Sequence, residues 1–213
     1  LLADLIREAK SNGQPVYALA FHVGYWDGLG WKDPFSDPAY TQRQLNYAAA
    51  LKLDDVYTPQ MIVNGTAQFV GSDRQAAREA IDRALRQSAS AAVEFQAVQS
   101  HSAQSQAGND GPGRPIDLTY RAAGPKGAVL NVAVVEGSLR VDVPRGENGG
   151  RQLEHENVVR WFKTIDLPEG GNGSLTIPAL PQIKPENAAV VVYVQEASQG
   201  AILGAAARAF PLR

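Results

Sequence analysis

The chemistry open to this chain is set by three histidines, a loop dense in aromatics and carboxylates, one Thr-Pro step, and the absence of any cysteine. His22 closes an apolar run, where its ordinary pKa near ~6.5 suits it to shuttle a proton or to tune a neighbour. The alternative is a histidine bonded to loop backbone. Beside it, Tyr25, Trp26 and Trp31 can wall a peptide or ligand groove, or can pack their loop onto the body of the protein, which is the commoner use of large aromatics. Asp27, Lys32 and Asp33 bring charge to the same loop. Two carboxylates fall short of a calcium ligand set, so ion pairs and caps that hold the loop are expected there. His155 lies between Glu154 and Glu156; on a strand the two glutamates share one face and the histidine takes the other, which argues against a metal cluster. No metal site, no cofactor and no catalytic residue is expected from these patterns. G-x-S-x-G, a phosphate-binding loop, H-E-x-x-H and the dinucleotide glycine fingerprint are all missing.

Tyr57-Thr58-Pro59-Gln60 is the most informative stretch. A proline directly before a short apolar run fixes φ and removes a ladder donor, which places it at a strand entrance. A cis peptide after Thr58 at that place would border a groove able to hold an extended backbone, with Tyr57, Thr58, Pro59, Gln60 and His22 as its candidate lining. His101 falls in a polar stretch and carries little weight.

These residues need elements to position them. A chain of 213 residues with a formal charge of −2 can bury one large or two small cores, and it lacks the basic excess that drives binding to nucleic acid or anionic membrane. Its longest apolar runs, such as 188–194, fall far below the ~20 residues that span a bilayer. Leu1, Leu2, Leu5, Ile6 and Ala9 recur at helical spacing, with Asn12-Gly13 as the stop. Residues 15–23 are almost continuously apolar and read as a strand covered on both faces. A Gly/Pro/Asp-rich loop, 24–38, leads to a helix over 39–53 with Asp37 as its cap and Pro38 in its first turn. Strands at 60–63 and 66–70 meet at Asn64-Gly65, a strong hairpin signal, and Ser72-Asp73 opens an amphipathic helix that ends near Ser88.

The order αβαββα over residues 1–88 is that of a thioredoxin-like α/β domain without its first strand. That strand is interior, and the turn after it is where a C-x-x-C pair would use a helix N-terminus to lower a thiol pKa. The expectation is therefore an N-terminally incomplete domain that begins just past a redox centre. From 89 on, β-branched runs at 91–99, 116–121, 128–135, 139–143, 158–167, 174–177, 189–195 and 201–210, separated by Gly and Pro, predict an all-β sandwich domain over 89–213. A polar Ser/Gln/Gly/Asn loop interrupts them at 100–115.

The block His22-Val23-Gly24-Tyr25-Trp26-Asp27-Gly28-Leu29-Gly30-Trp31-Lys32-Asp33-Pro34-Phe35 closely resembles a family of bacterial secreted, thioredoxin-like proteins, domain of unknown function 1223. Arg43-Gln44, Tyr57 to Met61, Val63-Asn64-Gly65 and the run Phe69-Val70-Gly71-Ser72-Asp73 follow in the family's order. In the second half, His155-Glu156-Asn157-Val158-Val159-Arg160 and Ala201-Ile202-Leu203-Gly204-Ala205 also match. The resemblance implies export to the periplasm or cell surface. Members typically carry a C-S-S-C segment before the leucine-rich helix. This chain opens on that helix, and Gly24 replaces a frequent Asp.

Three readings stay open. One is an exported protein of thiol–disulfide oxidoreductase type whose redox cysteines are absent from this chain, so that it is inactive in that reaction as given. Another is a cysteine-free thioredoxin scaffold that binds peptides or partner proteins. The third is a structural or envelope-assembly role exercised through the β-sandwich. A protein or peptide partner is expected in each, with no nucleic acid and no transmembrane segment.

Overall fold

Two strands rich in valine, Val129–Glu136 (β5) and Ala188–Gln195 (β10), are buried along nearly their whole length. A strand can hide both faces only if something covers each. A computed structural model describes residues 1–100, 114–146 and 149–210 and shows what does so. His101 and most of the polar loop at 100–115 lie outside the described residues.

Chain order is α1 (Leu2–Ser11), α2 (Pro38–Ala50), β1 (Gln60–Val63), β2 (Ala67–Val70), α3 (Arg74–Leu85), β3 (Val93–Gln99), β4 (Ile116–Ala122), then β5. After it come β6 (Leu139–Asp142), β7 (Gln152–His155), β8 (Val158–Asp166), β9 (Asn172–Ile177), β10 and β11 (Ile202–Ala209). The result is a mixed α/β structure with several antiparallel sheets and few helices. β5 and β10 form the centre of a four-stranded sheet ordered β11-β10-β5-β8, and β3-β4-β9 form a second sheet.

Period-2 alternation sorts the side chains of β5 and β10. Leu130, Val132, Val134, Val190, Val192 and Val194 share one core with Phe95, Ile116, Leu118, Tyr120 and Ile177 of the second sheet. The alternate residues Ala133, Val135, Val191 and Tyr193 form another core with Val159 of β8 and Tyr40 of α2, and Leu19 and Phe21 pack against it. Each fully buried valine is worth roughly 1.5–3 kcal/mol of transfer free energy, so the central pair of strands anchors the molecule on both sides.

One expected strand is not formed, and one strand, β7, arises outside the predicted runs. Residues 15–23 do not form a strand of a helix-flanked sheet; they make one isolated parallel bridge, Ala20 with Val158. Ala20 N–H donates to Asn157 O (2.8 Å), and Val159 N–H donates to Ala20 O (3.0 Å). Asn157 Nδ2 donates to Ala18 O. All of these bonds lie on the β8 side, and Tyr17, Leu19 and Phe21 make no backbone hydrogen bond among the described residues. The apolarity of the run reflects partial burial of Leu19 and Phe21 against the core shared by Tyr40 of α2 and the four-stranded sheet, not a two-sided ladder; Phe21 meets Tyr40 and Phe162 edge-on at 5.0 and 5.2 Å.

The helix ends follow their caps. Asp37 accepts from Ala39 N–H at 2.8 Å with Pro38 in the first turn, and Asp73 accepts from Ala76 N–H at 2.9 Å. Asn64 and Gly65 take φ of 48° and 74° between β1 and β2, the left-handed pair a tight hairpin asks for. That tip docks on the four-stranded sheet, where Ile202 N–H donates to Asn64 O at 2.9 Å. No helix of the described residues is long and apolar enough to cross a membrane.

Candidate functional site

The Thr58–Pro59 peptide bond is cis. Thr58 and Pro59 are both exposed at the entrance to β1, and Pro59 O accepts from Gly71 N–H at 2.7 Å, which ties the entrance to the end of β2. The loop at 24–37 meets this segment. Trp26 Nε1 donates to Thr58 Oγ1 at 3.0 Å, while the indole remains 52 % exposed and Tyr25 beside it 38 %. The two rings lie 5.3 Å apart. Exposed Pro59, Thr58, Trp26 and Tyr25 therefore form one continuous surface.

Gln44 of α2 fixes that surface from beneath. Its Oε1 accepts from Tyr25 OH (3.1 Å), and its Nε2 donates to Tyr57 O (2.8 Å) and to Gln60 Oε1 (3.0 Å). Gln60 Nε2 donates in turn to Gln68 Oε1, which also accepts from Tyr57 OH. One amide thus joins the aromatic loop, the residue before Thr58 and the start of β1. The sequence pattern contains Arg43-Gln44 but offers no role for it; a polar residue on the buried face of an amphipathic helix was the signal. Arg43 works on the other side of α2. It donates to Tyr193 OH (2.8 Å) and Gln199 Oε1 (2.7 Å) and lies over Phe21, Tyr47 and Phe162, which clamps the helix to the four-stranded sheet.

His22 does not line the Thr58 surface through any hydrogen bond. Its Nδ1 lies 2.6 Å from Asp33 Oδ2, and its ring packs on Phe35 and His155 at 5.6 and 5.0 Å. Burial opposes ionisation of Asp33, but the bonds from His22 and from Phe35 N–H together hold its carboxyl below the usual carboxylate value. Asp27 organises the same loop: it accepts from Ser36 Oγ at 2.6 Å and from Asp33 N–H at 3.2 Å. Gly24 N–H donates to Thr41 Oγ1 at 3.0 Å. Trp31 is half-buried, and its neighbourhood contacts Gly146 after β6, whereas Lys32 is exposed.

Sequence reasoning missed the encounter of His22 with His155, because it depends on β7 lying against a loop more than a hundred residues away. Glu154 pairs with Arg140 at 3.0 Å and Glu156 accepts from Ser138 N–H. Among the described residues no group of three or more His, Cys, Asp or Glu side chains is placed to hold a metal. Nearby, Arg160 of β8 pairs with the fully buried carboxylate of Glu136, lies 5.1 Å over Phe35, and so supports the loop from the sheet side.

Residues 2–195 match the family model described as protein of unknown function, DUF1223. The chain belongs to the DUF1223 family. No curated protein matches it. The DUF1223 chain is also similar to a solved structure, the crystal structure of protein AGR_C_4864 from Agrobacterium tumefaciens, a structural-genomics target. The identity is 26 % over 96 % of this chain and 84 % of that one, with a TM-score of 0.67.

Proposed function

We propose that this protein holds extended polypeptide in the surface formed by Trp26, Tyr25, Thr58 and Pro59. The observation that carries the proposal is the 3.0 Å bond from Trp26 Nε1 to Thr58 Oγ1. A single exposed indole is ordinary on a protein surface; this one is distinguished by being fixed to Thr58 beside an exposed proline and buttressed by Gln44 through Tyr25 and Tyr57. A pre-organised aromatic wall loses little conformational freedom on binding, which is how such surfaces gain affinity.

In this reading residues 1–88 act as a thioredoxin-like unit, residues 89–213 as a β-sandwich that carries it, and the protein works outside the cytoplasm. Thiol–disulfide exchange proceeds through a thiolate, and none of the 213 residues is cysteine. Peptide holding is therefore the part of an oxidoreductase-type activity that these residues supply, and any redox step would take its thiol from elsewhere.

The test uses reduced, carboxymethylated lactalbumin as an unfolded probe in a calorimetric titration. Trp26→Ala and Pro59→Thr should each weaken binding by about tenfold, the loss of ~1.4 kcal/mol. Val98→Ala alters an exposed apolar residue on β3 and should leave binding unchanged. Binding insensitive to Trp26 and Pro59 but lost with Val98 would move the function to the second sheet and overturn the proposal.

A further inference from the structure

His155 is held unlike His22. The Nε2 of His155 is buried and has no hydrogen-bond partner among the described residues, whereas His22 has a carboxylate against Nδ1. The His155 ring lies edge-on to His22 at 5.0 Å and to Phe35 at 5.8 Å, so the end of β7 is joined to the loop at 24–37 by three rings. We propose that His155 is a pH-sensitive latch: neutral, it docks the β6–β7 hairpin on that loop; protonated, it lets the loop go.

The physical reason is local. A charged imidazolium N–H in a shielded position without an acceptor carries an uncompensated desolvation cost. The charged groups around it offer little relief. From the end of the extended segment comes His22, a second potential cation. From the loop comes Asp33, already bonded to His22 and to Phe35 N–H. From β8 comes Arg160 over Phe35, committed to Glu136 of β5. On its own hairpin, Glu154 pairs with Arg140 on the opposite face, and Glu156 accepts from Ser138 N–H.

Burial first and His22 second push the pKa of His155 down, with Asp33 acting the other way. A histidine with a lowered folded value stabilises the docked state fully above the unfolded value of about 6.5. That stabilisation is lost as pH falls from there through the folded value, after which the effect levels off. Between the two values, opening rises by up to about tenfold per pH unit. Asp33 acts in a separate window, below about pH 4, because its own value is lowered from the carboxylate range.

The test is hydrogen exchange on the whole chain between pH 7.5 and 5.0, corrected for intrinsic exchange rates, and it needs no peptide, so it stands or falls apart from the groove. Amides in 24–37 and 152–157 should exchange faster as pH drops below about 6.5, and His155→Phe should abolish that rise. The His155 ring of the wild-type protein, followed by NMR, should titrate below ~6.5. An unchanged loop across this range, the same rise in His155→Phe, or a ring titrating at or above ~6.5 would each overturn the proposal. If His155→Phe does not fold, the wild-type protein decides: the ring titration and the onset of exchange must share one pH range, and separate ranges overturn it.

Discussion

Trp26 and Thr58, 32 positions apart in sequence, are joined by a 3.0 Å hydrogen bond from indole Nε1 to hydroxyl Oγ1. This bond turns an exposed aromatic into part of a fixed surface, because among the described residues the loop carrying Trp26 and the strand entrance carrying Thr58 are otherwise linked by hydrogen bonds only through Gln44.

Thr58→Val keeps the shape and removes the acceptor. Both partners are exposed, so the bond is worth about 1 kcal/mol or less to stability. The effect belongs to local order: the Trp26 indole N–H should exchange with solvent roughly fivefold faster. The urea midpoint should barely move. An indole exchange rate equal to that of the wild-type protein would show that Trp26 is held by packing alone.

Gln44 is a different case because it is buried and serves three partners. Gln44→Leu leaves Tyr57 O and Tyr25 OH without a protein partner inside the structure, at a cost of about 1–3 kcal/mol. Gln44→Glu should cost at least as much, since a carboxylate would face the Tyr57 carbonyl where an N–H now donates. Urea unfolding at neutral pH measures both. If Gln44→Leu proves as stable as the wild type, water replaces the amide and the network does not hold the surface.

Most of this fold can be read from the residues. The two caps, Asp37 and Asp73, the Asn64-Gly65 hairpin and the β-branched runs of 116–210 each encode a local geometry, and strands and helices appear at those places. Residues 15–23 mislead because apolarity reports burial and not its source; Leu19 and Phe21 are partly buried against a helix and a sheet face, not between two strand neighbours. In the proposed site, the types and order of Tyr25, Trp26, Thr58 and Pro59 are visible in the sequence. Gln44 and the His22–His155 contact were not, since both depend on which long-range elements pack together.

The hairpin tip gives a sharper test of that packing. Gly65 has φ of +74°, and a Cβ there would run into the carbonyl oxygen of Gly200. Gly65→Ala therefore adds backbone strain and a clash with backbone that cannot swing aside, for a loss of about 1–3 kcal/mol. Gly13→Ala is the control, at a similar φ of +63° with open space around it, and should cost less. Equal losses for the two, measured by urea unfolding, would mean that conformation alone matters and that the tip is not pressed on the β10–β11 connection.

Alkaline pH tests the contact between α2 and the four-stranded sheet. Tyr40 is buried and its OH points to Val159 O at 3.4 Å. Burial pushes its pKa up to about 12, Asp37 adds to the rise and Arg160 opposes it. The unfolded value is about 10. A raised folded value means that the stabilisation is complete below about pH 10 and is lost as pH climbs toward the folded value, by roughly 3 kcal/mol at most. Tyr193 in the same core shifts upward for the same reason, so Tyr40→Phe should remove only part of the decline. The measurement is urea midpoints from pH 8 to 12 with phenolate absorbance followed in parallel. Tyr40→Phe should flatten the curve above pH ~10 while costing little at pH 7. A variant that keeps the whole decline would place the titrating phenols elsewhere and leave Tyr40 as packing only.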